Sequence, residues 1–289
     1  MALGMLTPSQ TRRLLHSLGT EAKKRLGQHF LVDRRVRTKL LRAARIGPED
    51  LVVEIGPGLG ALTGELARRA RQVVAIEKDE VLAARLRQAL GPVANVQIIT
   101  GDVLGMDPAQ IVEQARATAG EYKVVADLPY NIASAVVRHF LEAEARPQLM
   151  VVMVQREVAE SMAALPGQMS LLSVAVQLYG KPSIAGYVSP QSFYPPPRVE
   201  SAILRIETYV APNLQVGDVD DFFRVVRAGF SARRKQLHNS LAQGLGLPQA
   251  ETLGLLVGLG IDPQRRAQTL SLDEWSAIYH ALRQRVENI

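Results

Sequence analysis

No cysteine occurs anywhere in this chain, which excludes disulfide bridges and thiolate metal sites and fits a reducing cytoplasm. No apolar run approaches the roughly 20 residues that a membrane-spanning helix needs. The N-terminus lacks the apolar block of a secretory signal. Met1 to Arg25 is poor in acids and contains Ser, Thr and Arg, a faint likeness to a transit peptide, but it reads better as a basic arm of the mature protein. Internal repeats and low-complexity tracts are absent too. What remains is an ordinary globular composition: 289 residues, 47% of them apolar, enough for one large domain with a sizeable core and a smaller one.

Acid is missing locally. Between Phe222 and Ala250 there is no Asp or Glu, whereas Arg224, Arg227, Arg233, Arg234 and Lys235 all fall there. From Arg12 to Lys39 nine Lys and Arg residues meet only Glu21 and Asp33. The net charge is +6. Two basic ends around a balanced middle fit the two edges of a cleft for a polyanion, or simply two solvated helix faces.

The middle of the chain alternates between strand and helix patterns. After a basic lead-in over Thr11–Gln28, Val36, Leu40, Leu41 and Ala44 recur at helical spacing, and Gly47-Pro48 stops that helix. Apolar strands are expected over 51–55, 73–76, 96–99, 123–126 and 149–154, with helices near Leu62–Leu66, over 81–90 and over 107–117. Strands apolar on both faces and separated by helices predict an α/β domain with a parallel sheet covered on both sides. Ligands bind such sheets beyond the carboxyl ends of the strands, and Glu54, Glu77, Asp102 and Asp127 all stand at or near those ends. From Ser192 to Pro197 the chain cannot be helical, because proline lacks a donor and restricts the residue before it. A strand is expected over 202–206, a linker over 208–217, and short helices from 218 to 289.

Three constellations carry chemistry. In Glu54-Ile55-Gly56-Pro57-Gly58-Leu59-Gly60, glycines let the backbone approach a ligand at a helix start. The last interval is one residue shorter than the dinucleotide fingerprint requires. Glu77, ending the next strand, can accept from both hydroxyls of a ribose; the alternative is a packing turn with a solvated glutamate. Asp102 can accept from a purine amine, or serve only as a helix cap. In Asp127-Leu128-Pro129-Tyr130, a carboxylate and the Leu128 carbonyl can hold the hydrogens of an aromatic amine and direct its lone pair at an electrophile. Tyr130 offers a stacking face, and Phe193 or Tyr194 can close the other side. The plainer reading is a strand-end turn with a core tyrosine.

Five blocks in order, from Arg25-Leu26-Gly27-Gln28-His29-Phe30-Leu31 through Glu54–Gly60, Asp127–Ile132 and Phe193–Ala202 to Phe230–Leu241, resemble the ribosomal RNA adenine N6-dimethyltransferases of the small subunit. The likeness runs from about Lys24 to the C-terminus. It implies a Rossmann-like S-adenosylmethionine-dependent methyltransferase domain over 29–208, after a basic arm over 1–28, and a smaller all-helical RNA-binding domain over 218–289. It further implies dimethylation of N6 on two adjacent adenosines in the 3′-terminal hairpin of 16S rRNA. The partner would be the small ribosomal subunit, and the enzyme a cytoplasmic monomer needing neither metal nor membrane.

Carried over residue by residue, Gln28, His29, Leu31, Gly56 and Gly58 would border the cofactor. Glu77 would hold its ribose and Asp102 its adenine. Asp127 would sit at the junction of cofactor and target amine, binding the cofactor too and receiving the base with Leu128, Tyr130 and Phe193. Arg233, Arg234 and Lys235 would contact RNA phosphates from a basic helix. The sequence departs from the family pattern in three places. Asp127 and His29 stand where asparagine is usual, and Gln168-Met169-Ser170-Leu171 replaces a common Tyr-Gly. Rival readings are a large-subunit rRNA adenine methyltransferase of the macrolide-resistance type, a non-catalytic ribosome-assembly factor, and more distantly a dinucleotide oxidoreductase.

Overall fold

A computed structural model describes residues 4–90, 93–115, 119–214 and 217–287. The elements run α1 (Pro8–Ser17), β1 (Phe30–Leu31), α2 (Arg34–Ala44), β2 (Leu51–Ile55), α3 (Thr63–Ala67), β3 (Gln72–Glu77), α4 (Glu80–Leu90) and β4 (Val96–Thr100). Next come α5 (Pro108–Gln114), β5 (Tyr122–Asp127), α6 (Ala133–Glu142), β6 (Leu149–Gln155), α7 (Arg156–Met162) and α8 (Leu171–Gln177). The chain closes with β7 (Gly180–Val188), β8 (Phe193–Tyr194), β9 (Ser201–Thr208), α9 (Val219–Phe230), α10 (Leu237–Leu245), α11 (Gln249–Gly258) and α12 (Leu272–Glu287).

The chain divides into two compact units, residues 1–159 with 181–210, and residues 160–180 with 211–289. This division departs from the expected boundaries. Residues 4–28 cluster with the first unit rather than forming an arm of their own, and 160–180 cluster with the C-terminal helices.

The first unit is built on a seven-stranded sheet in the order β4-β3-β2-β5-β6-β9-β7. The strands β4, β3, β2, β5 and β6 are mutually parallel, and β9 runs antiparallel to β6. Every residue of β2 is buried, as are the first six of β6, which is why both read as continuous apolar runs. Because the five strands are parallel, their carboxyl ends share one rim.

Two sheet elements had no clear signal in the sequence. The strand β7 carries Pro182 and Gly186 and alternates between half-buried and exposed residues, a pattern that only an edge position tolerates. The β1–β8 ribbon pairs Phe30 with Tyr194 and Leu31 with Phe193. The Pro-rich stretch expected as a loop therefore supplies a strand, and the Tyr194–Pro195 peptide that follows is cis. The helix expected over 107–117 runs Pro108–Gln114 with Asp107 as its cap; residues 116 and 117 lie outside the described residues, as do 215 and 216 of the expected linker.

The second unit is helical. Phe222, Leu237, Leu256, Trp275 and Ile278 form its buried centre. The helices α9 and α10 meet where Gly244 faces Ala228, and a Cβ at 244 would lie 2.6 Å from the Ala228 Cα. That neighbour is backbone and cannot swing aside. Gly244→Ala is therefore expected to cost about 1–3 kcal/mol of stability, read as a lower midpoint in urea unfolding. An unchanged midpoint would mean that the two helices separate without penalty.

Candidate active site

At the end of β2 the chain turns through Gly56, Gly58 and Gly60, with φ of 66°, 57° and 82°, a region that side-chain-bearing residues rarely adopt. Gly56 N–H donates to the Ile76 carbonyl at 2.9 Å. Gly58 N–H donates to Glu77 Oε2 at 2.9 Å, and Asp79 N–H donates to Glu77 Oε1 at 2.8 Å. The Glu77 carboxylate thus ties the glycine turn to the end of β3, and each oxygen keeps a lone pair for a ligand hydroxyl. Burial raises its pKa, although the backbone donors oppose that shift.

The turn is also where distant segments converge. A Cβ on Gly56 would lie 3.6 Å from Pro129 Cδ and 3.9 Å from the Asp127 carbonyl oxygen. A Cβ on Gly58 would press on the Phe30 ring at 3.3 Å. Gly27, at φ 63°, sits against the same motif from the N-terminal side, with Asn131 Oδ1 2.8 Å from the position of its missing Cβ.

One pocket results, within the first unit. Its walls include Gly56, Gly58, Glu77, Asp102, Asp127 and Tyr130. Gln28, His29, Leu31, Leu128 and Phe193 also reach it. Every pocket residue expected from the sequence is thereby brought to a single cavity, while Arg233, Arg234 and Lys235 belong to the second unit. There they occupy the turn between α9 and α10, not a helix, and all three are exposed.

Several placements were not foreseeable. The Gln28 side chain donates to Asp79 Oδ2 at 3.1 Å and accepts from Lys23 N–H at 2.9 Å, and Lys23 Nζ lies 2.8 Å from Asp79. Gln28 braces the N-terminal segment in this way. The His29 ring stacks on Tyr130, with centroids 5.5 Å apart and planes at 27°, and its Nδ1 lies 2.7 Å from the Pro195 carbonyl oxygen. The Tyr130 hydroxyl meets the buried Ser201 hydroxyl at 2.6 Å, which fixes the ring, and burial raises its pKa to about 12. Phe193 was expected to close the far side of the base; it is 2% exposed and belongs to the core cluster that contains Leu31, so it supports the pocket wall.

The pocket is acidic. Burial raises the Asp127 pKa to about 8 and that of Glu54, 2% exposed, likewise to about 8, with Glu77 and Asp127 adding to the shift at Glu54. Glu54 Oε2 has no hydrogen-bond partner among the described residues. Asp102 is more open: Lys78 Nζ at 2.6 Å holds its pKa down, and Leu104 N–H donates to it at 3.2 Å, so it does cap a short 3-10 turn. A buried acid with one oxygen lacking a partner, beside three other acids, suits a ligand bearing positive charge, which would favour the ionised forms of Glu54 and Asp127. A sulfonium cofactor with an α-ammonium group and a ribose meets that requirement. Among the described residues no group of three or more acidic, His or Cys side chains could hold a metal, and no helix is long and apolar enough to cross a membrane.

A model of the ribosomal RNA adenine dimethylase family matches residues 19–284. A ribosomal RNA small subunit methyltransferase A from Dehalococcoides mccartyi is 48% identical over 275 residues, 94% of this chain and 93% of that protein. Its counterpart from Moorella thermoacetica is 44% identical over 283 residues, 96% and 98% of the two chains. Among solved structures, the 23S rRNA methyltransferase ErmE is 28% identical with a TM-score of 0.70, covering 88% of this chain and all 100% of its own. A dimethyladenosine transferase from Plasmodium falciparum, 23% identical over 89% of this chain and 98% of its own, shares the fold with a TM-score of 0.76.

Proposed function

The chain belongs to the ribosomal RNA adenine dimethylase family, and from that membership and the pocket we infer that it dimethylates adenine in small-subunit rRNA with S-adenosylmethionine. The targets on this reading are the N6 atoms of two adjacent adenosines in the 3′-terminal hairpin of 16S rRNA. The relatives of 40–48% identity carry the small-subunit name, so the large-subunit alternative is not favoured by a 28% likeness to ErmE. The glycine turn, one residue short of the dinucleotide fingerprint, disfavours a dinucleotide. The same reading takes the protein as a monomer acting in the cytoplasm.

The cofactor supplies an electrophilic methyl carbon on sulfur. Glu77 would accept from its ribose hydroxyls, Asp102 from its adenine amine, and the orphaned Glu54 oxygen would face its ammonium group. Gly56 and Gly58 keep the turn bare enough for close approach. On the substrate side, Asp127 and the Leu128 carbonyl would accept the two hydrogens of the adenine amine. That arrangement pulls the nitrogen lone pair out of the ring and aims it at the methyl carbon. Tyr130, pinned by Ser201 and backed by His29, would present a flat face to the extruded base. Catalysis on this account is positioning plus hydrogen-bond acceptance, a direct displacement with no covalent intermediate.

The observation that carries the reading is the arrival of Asp127, Glu77 and the glycine turn at one cavity. Small subunits from cells lacking this gene, incubated with the purified chain and methyl-labelled S-adenosylmethionine, are expected to gain label as two neighbouring dimethyladenosines in digested rRNA. Absence of label, or label in large-subunit rRNA alone, would overturn the assignment.

A further inference from the structure

The basic N-terminal region separates in the structure into two classes of side chain. Lys23 is committed to Asp79, and Arg37 turns inward to Glu65 at 3.4 Å and to the Ala61 carbonyl at 3.3 Å. Arg34, Arg35, Lys39 and Arg42 instead lie, with Thr38, along the exposed face of α2. None of the four takes part in an ion pair among the described residues. Elsewhere in this unit some cations are paired: Arg37, Arg68 and Arg69 share Glu65, Asp50 meets Lys123, and Glu142 meets Arg138.

Such a stripe has a cost. Arg35 and Lys39 stand one helical turn apart with like charges, which weakens the helix. The opposite face of α2 buries Leu40, Leu41 and Ala44, so the helix cannot rotate to spread the charge. Asp33, just before the helix, caps it at Arg35 N–H and accepts from the Ser192 hydroxyl. The Lys39 ammonium occupies the place that a Cβ on Gly186 of β7 would take, so the glycine makes room for it. The exposed face of α2 is therefore cationic, and none of these four side chains is ion-paired among the described residues.

Its position gives it a task. Leu31 lines the pocket, and Arg34 follows three residues later, within about 10 Å of extended chain. Ser192, bonded to Asp33, precedes the pocket residue Phe193. From Arg34 to Arg42 the stripe extends about 12 Å along the helix axis. The four cations lie outside the pocket walls, where they can meet the phosphates of a nucleic acid whose base enters the pocket.

We propose that Arg34, Arg35, Lys39 and Arg42 form a phosphate-binding strip that grips the RNA backbone flanking the adenosine in the pocket. The proposal rests on the RNA-methylating reading above and adds a binding surface to it. Phosphate contacts of this kind supply affinity and salt dependence without sequence choice.

The test replaces all four residues by Gln in the full chain, with Arg71→Gln, an exposed cation at the amino-terminal end of β3, as a control. S-adenosylhomocysteine affinity is expected to be unchanged in every variant. For undermethylated small subunits the quadruple variant should show at least about a 10-fold rise in KM, and the log–log salt slope of binding should shrink by about 3 to 4, whereas Arg71→Gln moves it by one or less. A triple Arg→Lys variant at 34, 35 and 42, which retains the charges, should keep the parental slope. Parental KM and slope in the quadruple variant would overturn the strip while leaving the methylation reading intact. A parent that binds small subunits without methylating them would refute the reading, and the slope comparison would still decide the strip. Loss of binding to phosphatidylglycerol vesicles with subunit binding intact would assign the stripe to a membrane surface and overturn the proposal.

Discussion

Asp127→Ala is expected to lower methyl transfer by about 10^2- to 10^3-fold, the usual cost of removing one aimed hydrogen-bonding group from a reacting centre. Affinity for S-adenosylhomocysteine should stay within about threefold. The reason is structural: Asp127 ends β5 opposite Met153, and Leu128 N–H donates to the Met153 carbonyl at 3.1 Å, so the turn is held by its backbone. No donor within the described residues depends on the Asp127 carboxylate, and its loss orphans nothing. Near-parental turnover in single-turnover assays with saturating subunits would remove Asp127 from the chemistry.

The same side chain makes a pH signature. Its pKa stands at about 8 because burial penalises the charged form, against 3.8 for the free side chain. The folded chain thus keeps a proton that the unfolded chain has lost, and this contribution to stability, full below pH 3.8, drains away as pH rises toward about 8. A bound sulfonium cation acts the other way by favouring the carboxylate. Binding of S-adenosylmethionine at pH 7 should therefore release protons, visible as a heat that changes with the ionisation enthalpy of the buffer. Asp127→Asn, which keeps an acceptor but cannot ionise, should retain activity and release fewer protons; Glu54 supplies the remainder. A heat independent of buffer would contradict the account.

Glu77→Ala should weaken S-adenosylhomocysteine binding by about 100-fold and lower the melting temperature as well. The carboxylate accepts from Gly58 N–H and Asp79 N–H, and its removal leaves two buried donors unpaired at about 1–3 kcal/mol each. The glycine turn then loses its tie to β3, so the pocket loosens together with the contact. Glu77→Gln, with one acceptor oxygen left, should fall between. Titration calorimetry beside thermal unfolding separates the two effects. Parental affinity in a destabilised Glu77→Ala chain would make the residue a brace only.

How much of this could be read from the letters depends on distance along the chain. The strand Leu51–Ile55 and the sheet alternation were legible because apolar runs and helical spacing are local patterns. Glu54, Glu77, Asp102 and Asp127 were legible as rim residues because a parallel sheet sends all its carboxyl ends one way. The Arg233–Lys235 run was legible as a basic patch but misread as a helix, since the turn between α9 and α10 depends on how those helices pack.

The sequence by itself determined the α/β class, the family and the set of side chains at the strand ends, all of which follow from short-range periodicity and from motif order. Only the tertiary structure decided that His29 stacks on Tyr130, that Ser201 pins that ring, that Phe193 is a wall, and which arginines of the N-terminal region face outward. Those outcomes join residues up to about 160 positions apart, as in the β1–β8 ribbon. They are set by which surfaces pack together, and packing is a property of the assembled core that no local pattern encodes.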